Sequence, residues 1–155
     1  MANHCYVKTK RKIKPGEVTS LLHKLNATRF KNILTITAEE TPGPHAWGKY
    51  TWEITARMND TWFQSRICFL STDRTFEMRH GGGDNFIWWI DTVIQNEVAL
   101  LYDGTMSDDA SDDKWTAKPN KYLTYSDYLD IIFKHRTFGY VLKQMALMQA
   151  PKLFR

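Results

Sequence analysis

The chain has 155 residues, of which 43% are hydrophobic, 25% are charged and 14% are aromatic. These values are typical of one globular domain and exclude a wholly disordered chain, and the longest purely apolar run, residues 86–90, is too short to span a membrane. The formal net charge of +4 is modest, so it does not by itself indicate a nucleic-acid-binding domain.

Cysteine use and the N-terminal residues bear on location. Cys5 and Cys68 are the only cysteines, which is too few for a disulfide framework, and they lack the paired spacing of a zinc site. The N-terminal residues contain no apolar core of a signal peptide. We therefore expect one soluble domain over residues 1–155, in the cytoplasm or in a virion, and not secreted through a signal peptide.

The first third of the chain predicts strand, helix and strand. Residues 5–13 alternate in part and predict a basic strand. Pro15 and Gly16 then open a helix that runs to about Arg29, and a short β-branched strand follows over residues 32–37. The helix has a single apolar stripe at helical spacing, formed by Val18, Leu21, Leu22 and Leu25.

A β-hairpin is the clearest predicted element. Residues 50–58 and 61–70 alternate on either side of Asn59-Asp60, which predicts a two-residue turn. In that register the apolar side chains, Trp52 among them, share one face. A third strand follows over residues 74–80. The pairs predicted on the polar face are Glu53 with Arg66 and Arg57 with Trp62.

The rest of the chain predicts two helices separated by a long acidic loop. Asp84 or Asn85 caps a largely apolar helix over residues 86–101, which Gly104 ends. Thr124 and Asp127 form a capping-box-like start for one C-terminal helix that runs to Met148 and stops near Pro151. The fold class predicted is α+β, an antiparallel β-meander of four to five strands packed against two or three α-helices.

Charge is sorted along the chain. Residues 1–31 carry eight bases against one acid, residues 103–113 carry five aspartates and no base, and residues 134–155 carry five bases and no acid. The basic ends of the chain can therefore attract an acidic partner, and that partner can be another copy of the chain.

The N-terminal bases are the first predicted contact site. On a strand, Lys8, Lys10 and Lys12 would form one positive row, with Arg11 and Lys14 nearby. Such a row suits phosphate or an acidic partner. Lysines on an edge strand also prevent unwanted pairing, and the sequence does not decide between these roles.

The acidic segment is the second predicted contact site, as a loop that docks against a basic surface of a neighbour. A divalent cation is the alternative ligand, but the segment lacks the residue order of an EF-hand. The aspartates are Asp103, Asp108, Asp109, Asp112 and Asp113.

An enzymatic interpretation centres on His80 and the following Gly81-Gly82-Gly83. The glycines suit a phosphate or an oxyanion, yet the chain has no Gly-x-Ser-x-Gly nucleophile elbow, and a plain strand-to-helix turn explains them. A nucleophilic trio of Cys68, His80 and Asp84 requires contact between side chains that the predicted register places on opposite faces.

Three hypotheses follow. The leading one is a non-enzymatic structural or assembly subunit that binds other protein subunits, of its own kind or another, through complementary charged and aromatic surfaces. A bacteriophage virion, at the head–tail region or the tail, is one setting for it. The alternatives are a nucleic-acid-binding accessory protein that uses the basic N-terminal strand and a small metal-dependent hydrolase. We expect no cofactor, no bound metal, no membrane contact and no catalytic residue, and the sequence identifies no small-molecule substrate.

Overall fold

The computed structural model describes residues 3–40, 50–59, 62–80, 84–108, 111–119 and 124–155. The strands in these ranges are β1 (Asn3–Lys8), β2 (Leu34–Glu40), β3 (Tyr50–Arg57), β4 (Phe63–Thr72), β5 (Thr75–His80), β6 (Thr105–Asp108) and β7 (Ser111–Thr116). The helices are α1 (Pro15–Thr28), α2 (Asn85–Tyr102), α3 (Tyr125–Phe133) and α4 (Gly139–Gln149), followed by a short 3₁₀ helix at Lys152–Phe154.

The described strands form one antiparallel sheet in the order β2-β3-β4-β5-β1-β6-β7. This confirms the α+β fold with a meander packed against helices. The meander is β2 to β5, and the N-terminal strand β1 completes the sheet between β5 and β6. Two strands more than expected are present because the acidic segment, predicted as a loop, forms the β6–β7 hairpin.

Helix α2 covers the middle of the sheet. Its Gln95 amide donates hydrogen bonds to the main-chain oxygens of Tyr6 in β1 and Ser107 in β6, each at 3.1 Å. The helix is buried on most of its circumference because the sheet lies on one side and other helices on the other. Its N-terminus is capped as predicted, since the Asp84 carboxylate accepts a hydrogen bond from the N–H of Ile87 at 3.1 Å.

The β3–β4 hairpin is present, but its predicted register is wrong by one residue. Trp52 lies opposite Cys68 and Ile54 lies opposite Arg66. The N–H of Met58 donates to the main-chain oxygen of Trp62 at 2.9 Å, so the turn is longer than the two residues expected. A slip of one residue sends every side chain of β4 to the other face of the sheet.

The shifted register changes the partners of two arginines. Arg66 faces the helices, and its Nε lies 3.1 Å from Oδ2 of Asp91 in α2, with the two side chains 6% and 1% exposed. The predicted pairing of Glu53 with Arg66 is therefore wrong, since Glu53 lies opposite Ile67. The predicted contact of Arg57 with Trp62 is replaced by one with the ring of Phe63, whose centroid is 5.7 Å from the Arg57 guanidinium.

The predicted single C-terminal helix is also wrong, because the chain turns sharply between α3 and α4. The capping box of Thr124 and Asp127 opens α3 as expected. Phe138 then adopts a left-handed conformation with φ of 59°. A Cβ at Gly139 would lie 2.6 Å from the main-chain oxygen of Phe133, so only glycine fits where α4 returns against α3.

Candidate protein–protein interface

The N-terminal bases do not form the predicted row on a strand. Strand β1 ends at Lys8, and the other four bases lie in the connection to α1. The strand ends there because this connection bonds to the turn before β5: the N–H of Ile13 donates to the main-chain oxygen of Asp73 at 2.7 Å. All five predicted contact side chains are exposed, namely Lys8, Lys10, Arg11, Lys12 and Lys14.

Two of these bases make contacts within the chain. The Arg11 guanidinium donates to the main-chain oxygen of Leu101 at 2.8 Å and lies 4.4 Å from the ring centroid of Tyr102. A cation is favourable here because Leu101 lies at the C-terminal end of α2. Burial raises the pKa of Tyr102 to about 12, so its hydroxyl stays protonated beside Arg11. Lys12 lies 3.7 Å from Asp73.

The acidic residues lie at the opposite edge of the sheet from β2. Asp103 ends α2 in a left-handed conformation and is exposed. Asp108 belongs to β6, and its buried Oδ1 has no hydrogen-bond partner among the described residues. Asp112 and Asp113 are residues of β7, and Asp109 lies outside the described residues. The predicted loop is thus an edge hairpin, and charge on an edge strand opposes pairing with another strand.

Sequence reasoning missed the most exposed apolar surface, which lies on α4. Phe138, Val141, Met145 and Met148 are 76%, 51%, 55% and 71% exposed. The spacings of four and three residues place Val141, Met145 and Met148 on one face of the helix, and Phe138 lies at its N-cap. We call these four side chains the α4 surface. The sequence contains a signal for it, because the apolar residues of α4 lie on two faces while a core needs only one.

The rim of the α4 surface is basic. Residues 131–155 contain no acidic side chain. The exposed bases at the two ends of the helix are Lys134, Arg136, Lys152 and Arg155. The base in the middle, Lys143, is neutralised by Asp130 of α3, with 2.7 Å between Nζ and Oδ1.

The side of α4 opposite the α4 surface packs against the rest of the molecule. Ala146 and Ala150 are buried against the rest of the molecule. Beyond the helix, the Phe154 ring packs on Phe86 and Trp89 of α2, with centroid distances of 4.9 Å and 5.7 Å. The Lys31 ammonium lies over the Phe154 ring, 5.0 Å from its centroid. A helix fixed in this way loses little conformational entropy when a partner binds.

A hollow of about 350 Å³ lies between α3 and α4. Its walls include Leu129, Phe133 and Tyr140, with Lys134 and Arg136 among the residues that line it. Tyr140 is itself 76% exposed. The hollow therefore adjoins the helix that carries the α4 surface and offers space for a side chain of a partner.

The enzymatic interpretation gains no support from the described residues. They include no group of three or more His, Cys, Asp or Glu side chains arranged to hold a metal. Cys68 faces the core and not the polar side as predicted, and burial raises the pKa of its thiol well above the usual value, which disfavours the nucleophilic thiolate. The side chain of His80 and residues 81–83 lie outside the described residues.

Comparison of the chain with protein-family models, curated proteins and solved structures found no match in any of the three. Among the described residues, no helix combines the length and the apolar character needed to cross a bilayer.

Proposed function

We propose that the chain is a non-enzymatic assembly subunit that binds another protein subunit through the α4 surface. The observation that carries the proposal is the row of four large apolar side chains, each more than half exposed, on a helix that is fixed from behind. Contiguous exposed apolar side chains inside a polar rim are typical of protein interfaces.

The size of the surface fits a specific but limited contact. Complete burial of an apolar side chain of this size contributes about 1.5–3 kcal/mol. Four such side chains, each half to three-quarters exposed, would contribute roughly 4–8 kcal/mol when covered. Association itself costs about 4–15 kcal/mol, so the four side chains alone do not give a stable complex. The basic rim contributes further binding free energy only when the partner is acidic.

The nucleic-acid alternative has weaker support. The predicted row needs Lys8, Lys10 and Lys12 on one strand, but the strand ends at Lys8. In addition, Arg11 and Lys12 already contact groups of their own chain. Apolar side chains at the centre of the C-terminal basic surface favour a protein over a phosphate backbone, since phosphate contacts need only charge and hydrogen bonds. The virion setting stays a prediction from the sequence.

Light scattering after gel filtration tests the proposal. We expect the mass of the wild-type protein to rise with concentration and Met145→Glu to weaken association about thirtyfold, the equivalent of an interface hot spot of about 2 kcal/mol. Ser20→Glu is the matched control, because it adds the same charge to an exposed position of α1.

Two outcomes would contradict the proposal. One is a wild-type protein that stays monomeric at every concentration and ionic strength, because the proposal takes another copy of this chain as a subunit that the α4 surface binds. The other is a Met145→Glu variant that associates like the Ser20→Glu control. A mass increase that requires added DNA would instead favour the nucleic-acid alternative.

A further inference from the structure

We infer that a hollow on the face of the sheet that points away from α2 binds a ribose phosphate, the unit that free nucleotides and RNA share. The hollow has a volume of about 540 Å³, which lies in the range of small-molecule sites. It is separate from the α4 surface, so its ligand goes beyond the proposed function. We call it the sheet hollow, and its lining includes Tyr6, Lys8, Glu77, Ser107, Asp108 and Lys114.

The strand register places the sheet hollow on the face opposite the core. Tyr6 lies opposite Glu77 in β5 and opposite Ser107 in β6, and side chains of directly opposite residues share one face of a sheet. The next residue, Val7, points to the other face, where it is fully buried in the core. Helix α2 packs on that core face, so Tyr6, Glu77 and Ser107 point away from it.

Two lysines flank the sheet hollow. Lys8 ends β1 and Lys114 belongs to β7, with β6 between the two strands. Strands β1 and β7 are therefore about 10 Å apart, and both lysine side chains are exposed. Among the described residues, neither lysine forms an ion pair. A phosphate that lies between these strands is within reach of both flexible side chains.

Acidic residues in the lining disfavour a plain anion as the ligand. Glu77 and Asp108 line the sheet hollow together with the two lysines, so the charges of the lining offset one another. The Glu77 side chain is only 12% exposed, and its carboxylate lies 3.7 Å from Nδ1 of His4. A carboxylate accepts hydrogen bonds from hydroxyl groups, and acidic residues bind the ribose of dinucleotides in this way. The ligand that fits therefore combines a phosphate with hydroxyl groups.

The rest of the lining suits a sugar and a base. Thr75 and Ser107 add hydroxyls, which both donate and accept hydrogen bonds. Tyr6 adds an aromatic ring, stacked on the ring of His4 with 6.0 Å between the centroids. Aromatic side chains on the face of a sheet are surfaces on which bases stack. The phosphate, the sugar and the base of a nucleotide thus each find a partner in the sheet hollow.

Calorimetric titration with AMP, 2′-deoxy-AMP and inorganic phosphate tests the inference. We expect AMP to bind about tenfold more tightly than the other two probes, because both lack the 2′-hydroxyl and one hydrogen bond to a charged group has this effect. The double variant Lys8→Ala/Lys114→Ala should weaken AMP binding at least about tenfold. Lys24→Ala is the matched control, because it removes an exposed base of α1.

The variant Glu77→Gln tests the contact with the sugar. We expect it to reduce the preference for AMP over 2′-deoxy-AMP, because the charged acceptor for the 2′-hydroxyl is lost. A purely structural role of Glu77 would weaken the binding of both probes equally, and that result would overturn the assignment of the sugar to Glu77. Circular dichroism checks that each variant is folded.

Amide chemical shifts separate the two sources of ribose phosphate. AMP that shifts amides of β1, β5 and β6 identifies a free nucleotide as the ligand, and an oligoadenylate RNA that shifts them when AMP does not identifies a strand. Three results would overturn the inference: no binding of AMP or RNA, binding of inorganic phosphate as tight as that of AMP, or a lysine double variant that binds like Lys24→Ala. Each of these leaves the proposed function standing, because that function is tested by the mass in solution and by Met145→Glu.

Discussion

Removal of Asp91 should destabilise the fold far more than removal of an acid from an exposed ion pair. In Asp91→Leu, the guanidinium of Arg66 keeps its place in the core, where its side chain is only 6% exposed, and loses the carboxylate at 3.1 Å. Breaking a buried pair in this way costs about 3–5 kcal/mol, because the guanidinium stays buried without this carboxylate. That is a large part of the roughly 5–15 kcal/mol that stabilises a domain.

The double variant Arg66→Met/Asp91→Leu should recover most of this loss. With both charges replaced by apolar side chains of similar size, neither charge is left buried without its partner, and such replacements are often neutral or stabilising. The changes in the free energy of unfolding at the two positions should therefore differ from additivity by about 3 kcal/mol, which is at the upper end of the coupling measured between residues in contact.

Urea unfolding followed by fluorescence and circular dichroism measures these differences as shifts in the midpoint at constant slope. Asp130→Ala is the control, since the Asp130 side chain is 60% exposed and ion pairs open to solvent contribute about 0–1 kcal/mol. A double variant that loses as much stability as Asp91→Leu and Arg66→Met combined would contradict this expectation, and so would an Asp130→Ala variant that loses as much as Asp91→Leu.

Two further predictions concern the attachment of α4 and the behaviour in alkali. Phe154→Ala removes ring contacts with Phe86 and Trp89, so we expect amide exchange in α4 to accelerate while that of the central strands stays unchanged; equal exchange in α4 would contradict the anchoring role. Burial raises the pKa of Tyr102 from 10.0 to about 12, so the folded state holds the Tyr102 proton more tightly than the unfolded state does. The contribution of Tyr102 to the free energy of unfolding is therefore fully present below pH 10 and is lost as the pH rises through about 12. Tyr102→Phe should be less stable than the wild-type protein near neutral pH, because the hydrogen bond to Glu17 is lost. Between pH 10 and about 12, however, the variant should lose less stability than the wild-type protein. Urea midpoints measured at both ends of this interval check the prediction.

Local signals predicted the helix boundaries well, because caps act over a few residues. Pro15 at the start of α1, Asp84 before α2 and Thr124 before α3 are all as expected. The turn into α4 was missed because it depends on a close approach between Gly139 and the main chain of Phe133. Such an approach exists only once α3 and α4 pack together, so the sequence contains no separate signal for it.

The hairpin register could not be predicted because β4 is apolar on both faces. Cys68 and Leu70 face the helices, while Phe69, on the other face, is also buried and Ile67 is half-buried. When both faces of a strand carry apolar side chains, the sequence pattern fits either register, and the length of the turn alone decides which register forms. The turn is one residue longer than assumed.

The acidic hairpin was missed for a different reason. Aspartate is disfavoured in strands by intrinsic propensity, so residues 103–113 look like a loop. Strand β6 nevertheless forms because it pairs with β1, about a hundred residues earlier in the chain. Long-range pairing of this kind overrides local propensity, and only the assembled sheet shows it.

The α4 surface follows from how the core is filled. Helix α2 is buried on most of its circumference and, with α1 and α3, supplies the large side chains of the helical layer. Helix α4 packs behind them through Ala146 and Ala150, and small residues are what a helix needs where it approaches closely. Leu147 is partly buried against the core, but Val141, Met145 and Met148 are left on the solvent side, where an ordinary surface helix carries polar residues. The core does not use them, and under the proposed function they are the side chains that contact a partner protein.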